Sequence, residues 1–264
     1  FCLGSKPILD NEVDDGGITF NFARNLAQGH GIVFYPGGER VGGYSNPSWM
    51  FLLAGAIKLG MEPFAAAKLL AYLLGAGTLI LLGLMAARAL PDRPSHALLA
   101  APVLLAMHGT YLIWTFSGME TALQVFLMAA GAYRLFRESD PDAPTRLPVA
   151  PLLFFALAIT RPEAIGYFAL AIGYRLLAFN IRGRRLGLGD LVWLAAFFVP
   201  WGLYQLWHYV YFAWPLPNTF YAKVQEKRSL SQILSSTSNG GRYVIGYLAA
   251  FKLKPLLLLA PFAL

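Results

Sequence analysis

Between residues 63 and 212 the chain is a succession of apolar runs separated by short loops. No other feature limits its possible folds as much. The runs fall at 63–88, 96–115, 119–137, 149–160, 163–179 and 189–212. Hydrocarbon offers no hydrogen bonds, so a segment crossing it must satisfy its backbone internally, and a run of this kind does so as a helix. At about 20 residues per span plus loops, the chain has room for roughly six to eight helices. Only 13% of its 264 residues are charged and 57% are hydrophobic, against about 25% charged in soluble domains. The expected fold class is therefore all-α, a polytopic membrane protein. The net charge of +7 comes mostly from Arg and Lys between apolar runs, the arrangement of membrane loops. A nucleic-acid surface would cluster them on a soluble face. The single Cys2 excludes an intrachain disulfide and a cysteine zinc site.

No signal peptide is visible, because Phe1-Cys2-Leu3 leads straight into polar residues. With no span before Asp14 and with Leu264 inside an apolar run, the sequence reads as a fragment lacking a first transmembrane helix and a C-terminal portion. Residues 1–62 then form an outer loop, 63–213 a transmembrane bundle, 214–254 a second outer loop, and 255–264 the start of another span. Within the first loop, Ile18, Phe22 and Leu26 at i, i+4, i+8 predict an amphipathic helix over 18–28. Gly29, Gly31, Pro36, Gly37, Gly38, Gly42 and Gly43 predict the loop that follows. Residues 47–60 are apolar but short for a span, and 240–251 suit an interfacial helix.

Charge sets the sidedness. Arg182, Arg184 and Arg185 form the most basic short loop and are expected in the cytoplasm. Counting spans from there puts the 88–93 and 134–146 loops inside, and 117–120, 161–163 and 215–242 outside. Residues 47–60 must then dip into the membrane or lie along it. The polar motifs so converge on one face, which favours a single site over a transport path. One element fits poorly. As a helix, residues 149–160 rise only about 18 Å against a core of about 30 Å. Either that helix ends at a water-filled cavity, or 149–179 is one broken element.

The chemistry-bearing residues follow from the cost of charge beside lipid. Asp14 and Asp15 are adjacent, so they cannot share one job: one faces a substrate while the other caps the next helix, or both are caps. Arg161 and Glu163 flank Pro162 between two apolar runs, as a site or as an ion pair closing a tight turn. Glu120 begins a helix, where the dipole alone welcomes a carboxylate. Lys223, Lys227, Arg228 and Arg242 face only Glu226 in an outer loop, and an anionic ligand such as a lipid phosphate would explain that excess. His30, His96, His108 and His208 show no paired spacing, so no metal site is expected.

Several of these residues lie in motifs that resemble a known family. They are Asp14-Asp15-x-x-Ile18, Phe22-Ala-Arg24-Asn-Leu26, Gly29-x-Gly31-x-Val33-Phe34, Pro36-Gly-x-Glu39-Arg40-Val41 and Gly43-Tyr44-Ser-Asn46-Pro47. Further along come Ser117-Gly-Met-Glu-Thr-Ala122, Thr160-Arg-Pro-Glu163 and Leu216-Pro-Asn-Thr-Phe-Tyr-Ala-Lys223. In that order they resemble polytopic glycosyltransferases of the GT-C fold, similar to the cell-wall terminal arabinofuranosyltransferases. The chain departs from that pattern with Gly16-Gly17 in place of an aromatic or apolar pair, and with Gly42 where Glu is frequent.

The resemblance implies transfer of a sugar from a polyprenyl-phosphate carrier to a cell-envelope glycan, with inversion, on the extracytoplasmic face of the cytoplasmic membrane. Inverting transfer needs a base for the acceptor hydroxyl and donors at the departing phosphate. By position Asp14 or Asp15 is the base, and Arg24, Arg161 and Lys223 are phosphate candidates. Tyr44, Asn46 and Glu120 shape the pocket or meet sugar hydroxyls. Glu163, Asn218 and Tyr221 complete the substrate-binding set, and the aromatic Trp49, Phe220 and Tyr221 hold the sugar or the first isoprenes. The scheme requires no cofactor, although some GT-C enzymes use a divalent metal. The competing reading is a non-enzymatic carrier or flippase for a lipid-linked sugar. Such a carrier places charge near the midplane and often shows internal repeats, and no half-length repeat is present.

Overall fold

The computed structural model describes residues 14–92, 94–140, 147–181 and 186–214, together with Asn218, Arg242 and Gly246. Residues 1–219 and 220–264 form two compact units, and every helix named below lies in the first. Except for Arg242 and Gly246, the expected elements at 240–251 and 255–264 lie outside the described residues, as do Arg182, Arg184, Arg185, Tyr221 and Lys223.

The described elements are all helical: α1 (Asp14–Ala27), α2 (Pro47–Lys58), α3 (Pro63–Ala89), α4 (Ser95–Leu98), α5 (Ala100–Ala106), α6 (Gly109–Thr115), α7 (Thr121–Glu138), α8 (Val149–Ala158), a 3-10 turn (Pro162–Ala164), α9 (Ile165–Ile181) and α10 (Leu188–Phe212). Among the described residues two stretches are long and apolar enough to cross a membrane, Pro63–Ala89 and Pro162–Ile181. Only 17% and 28% of their apolar windows are buried. Leu73 and Ile80 on α3, Leu170 and Leu177 on α9, and Leu191, Leu203 and Val210 on α10 all face outward. A helix in a soluble core would bury them, so these faces suit lipid.

Helix α1 starts at Asp14, four residues before the start expected from the apolar pattern, so both acids lie in its first turn. It buries Gly16, Thr19, Phe20 and Ala23, one i, i+3, i+4, i+7 stripe. Ile18, expected on the buried face, is exposed. Helix α2 takes Pro47 at its first position, where a missing N–H costs nothing. It packs Trp49, Met50, Leu53 and Ala54 into the core with α1. Helix α3 matches the expected 63–88 run, capped by Glu62, whose carboxylate accepts the Ala65 N–H at 2.8 Å.

The expected single span at 96–115 is instead three short helices. Pro102 falls in the first turn of α5, where proline is tolerated and favours a fresh start. His108 then adopts extended backbone with Gly109 directly after it, which separates α5 from α6.

Helix α7 packs along α8, and the short α8 is bridged to it at both ends. At one end Glu138, closing α7, accepts the N–H groups of Val149 and Ala150 at 3.0 Å each. At the other end Arg161, just past α8, reaches Glu120, just before α7. The chain then reverses through the Pro162–Ala164 turn, and Arg175 on α9 returns to the backbone oxygen of Glu138. Residues 149–181 are therefore a hairpin of two helices.

Candidate functional site

Four segments meet where α1 begins, α7 begins and α8 ends. Asn46 and Glu120 each stand immediately before a helix, yet neither side chain caps it. They turn toward each other instead: Asn46 Nδ2 donates to Glu120 Oε2 at 2.5 Å. Thr19 Oγ1 donates to Asn46 Oδ1 at 3.1 Å. Arg161 Nη2 pairs with the other carboxylate oxygen, Glu120 Oε1. A carboxylate that is 1% exposed is thus held by one amide and one guanidinium, the pairing a buried charge requires.

The backbone around Glu120 is built for this approach. Gly118 has φ +84°, a conformation glycine adopts at little cost. Its carbonyl accepts Trp49 Nε1 at 3.1 Å. A Cβ built on Gly16 would lie 3.9 Å from the Gly118 carbonyl group, so the first turn of α1 sits directly on the 117–120 turn. The neighbouring Asp15 is exposed. On the α8 side, Ser48 Oγ and Thr160 Oγ1 are 2.6 Å apart, and Ser48 N–H donates to Ile159 O at 3.3 Å. This fixes the residues that precede Arg161.

Arg161 is not used up by Glu120. Its side chain keeps 30% exposure, and its Nε–H is buried without an acceptor. Lys68 was missed in the sequence. It is buried on α3, donates to Phe116 O and lies 4.5 Å from the Phe64 ring centroid. The signal was present, because Lys68 is the only charged residue in the apolar run before Arg88.

The other expected site residues divide. Tyr44 is buried, its ring 5.0 Å from Phe22 and 6.2 Å from Phe212. Its hydroxyl has no partner, and burial pushes the phenol well above its ordinary range. Asn218 N–H donates to Gly42 O at 2.9 Å, tying that position to the loop before Tyr44. Glu163 is exposed and does not pair with Arg161, so the tight-turn ion pair is not formed. Arg24 is exposed in the last turn of α1, roughly 14 Å along the axis from Asp15, and is not part of the cluster. Among the described residues no three His, Cys, Asp or Glu side chains lie together as a metal site.

No protein-family model, curated protein or solved structure matches the chain.

Proposed function

We propose that this chain is the core of a multi-pass GT-C-type glycosyltransferase that moves a sugar from a polyprenyl-phosphate carrier to a cell-envelope glycan outside the cytoplasmic membrane. The observation that carries the proposal is Arg161. A buried Glu120 fixes its position while its side chain stays open at the turn where α1, with its two acids, begins. Leaving-group phosphate gathers negative charge as the glycosidic bond breaks, and an oriented guanidinium with free N–H groups stabilises it. One acid of the Asp14–Asp15 pair takes the acceptor's proton as its oxygen attacks the anomeric carbon. Glu120 and Asn46 act as positioning residues, since their polar atoms are engaged by each other, Thr19 and Arg161.

The test is sugar transfer by the full-length protein in lipid, supplied with radiolabelled polyprenyl-phosphate sugars. Wild type is compared with Asp14→Asn, Asp15→Asn and Arg161→Lys. The expected result is consumption of one donor, abolished by one Asn change with donor binding intact, and slowed by Arg161→Lys. Full transfer by all three variants overturns the proposal. So does movement of labelled lipid across the bilayer with no donor consumed, which is the behaviour of a carrier.

A further inference from the structure

Ser45 and Pro47 line a cavity of about 110 Å³, while Asn46 between them turns to Glu120. Ile159 and Pro162 line the same cavity, while Arg161 also turns to Glu120. These two segments therefore present one set of side chains to the ionic cluster and another to the cavity. Helix α10 supplies a further wall with Trp201, Tyr204, Gln205 and His208, which fall at i, i+3, i+4 and i+7 on one face.

Beyond Asp190, Gln205 and His208 are the only amide, imidazole or charged side chains of α10, and both are on that face. A polar side chain on such an apolar helix is costly unless it meets a partner or serves a site. Much of the hydrogen-bonding capacity here is open. His208 Nδ1 donates to Trp214 O at 3.0 Å, which leaves Nε2 of the neutral ring as an acceptor. Among the described residues, Ser45, Tyr204 and Gln205 spend no side-chain group on a hydrogen bond.

These surroundings select an occupant by its chemistry. Among the described residues no charged side chain lines the cavity, so a phosphate or an ammonium group would find no counter-charge there. A prenyl chain would leave the hydroxyl and amide groups unpaired. The space is also far below the roughly 300–1,000 Å³ that takes a drug-sized ligand. A single sugar ring fits better: its hydroxyls both donate and accept, and its C–H faces suit the Trp201 ring. Neither α1 with its acids nor the Glu120–Arg161 pair lines the cavity, so a ring held there is not the reacting one. A polyprenyl-phosphate donor carries its sugar directly on the phosphate, so a ring away from any cation belongs to the other substrate. Resting on the transfer reading above, we infer that this cavity holds a non-reacting sugar unit of the acceptor glycan, with Gln205 as its main hydrogen-bonding residue. Binding energy gained on such a remote unit helps to orient the reacting hydroxyl.

The experiment is a ligand-observed NMR titration of the full-length protein in lipid nanodiscs. The probes are methyl glycosides of one and of two sugar units, made with arabinose, galactose, glucose and mannose. In at least one series the two-unit glycoside should bind about tenfold tighter than the one-unit glycoside, the gain expected from two neutral hydrogen bonds. Gln205→Leu should abolish that preference. Ile165→Trp fills the cavity from an exposed position and should abolish it too, and this variant decides alone if Gln205→Leu fails to fold. Equal binding of both glycosides by wild type in all four series overturns the inference, as does an undiminished preference in Ile165→Trp. A lowered melting temperature in Gln205→Leu with the preference intact makes Gln205 a packing residue and overturns its role. Sugar transfer by the same preparation separates the two readings. Transfer from a polyprenyl-phosphate donor without any two-unit preference keeps the enzyme and removes this subsite. A preference lost in both variants, with no transfer from any donor, keeps a glycan-binding cavity and removes the enzyme.

Discussion

Asn46 donates its side-chain amide to Glu120 at 2.5 Å, across 74 residues of sequence, and Arg161 closes on the opposite carboxylate oxygen. The loop before α2, the turn before α7 and the reversal after α8 are therefore pinned at one carboxylate. Breaking that centre acts on all three segments together.

Glu120 is 1% exposed, so losing its cationic partner leaves a buried charge uncompensated, at a cost of about 3–5 kcal/mol. Arg161→Met is expected near the lower end, because its own side chain is 30% exposed. Combining it with Glu120→Gln removes the stranded charge. The double variant should then lose about 1–3 kcal/mol less than the sum of the single variants. A double-mutant cycle from thermal unfolding in detergent checks this, and strict additivity would show that the pair does not hold the segments together.

Two glycines in contact should respond in opposite directions. Gly118 has φ +84°, and a Cβ there would meet the Phe20 ring at 3.3 Å. Gly118→Ala is therefore strained, destabilising by about 1–3 kcal/mol, and shifts the turn carrying Glu120. Gly16 is helical, with its nearest neighbours at ordinary contact distances of 3.8 and 3.9 Å. Gly16→Ala should stabilise by about 0.5–1 kcal/mol through helix propensity. Melting temperatures of the two variants decide it, and the same sign for both contradicts the described packing.

Asp15 is exposed in the first turn of α1, where a negative charge is favoured by only about 0.3–1 kcal/mol. Asp15→Asn should unfold within about 1 kcal/mol of wild type. Any loss of sugar transfer in this variant then reports chemistry. A large drop in melting temperature would instead mark Asp15 as a structural residue.

Long elements were legible because a continuous apolar run has one solution, and α3, α7 and α10 fall within a few residues of the runs that predict them. The 96–115 run was not, because hydropathy carries no sign of where a helix restarts. The breaks came from Pro102 in a first turn and from extended backbone at His108. Glu120 and Arg161 stand out in the sequence as charges beside apolar runs, but their pairing with each other was not readable. Local reasoning offered Glu163 for Arg161 and the helix dipole for Glu120, and tertiary contact overrode both. Lys68 and Arg175 stand out in sequence as lone cations in apolar runs, and both prove to be buried and hydrogen-bonded.

Tyr44 separates stability from binding. Its hydroxyl is buried without a partner, and leaving such a group unpaired costs about 1–3 kcal/mol. Phenylalanine keeps the ring contacts with Phe22 and Phe212 and removes that cost, so Tyr44→Phe should raise the melting temperature. Burial holds the phenol far above its ordinary range, so the group stays a neutral donor throughout the working pH range and the gain should not vary with pH. If the hydroxyl serves a substrate, that partner is present only in the complex. Tyr44→Phe would then be more stable than wild type yet show a raised KM for donor or acceptor. A more stable variant with unchanged kinetics assigns Tyr44 to the core alone. A less stable variant means that the hydroxyl has a partner in solution, and it overturns the prediction.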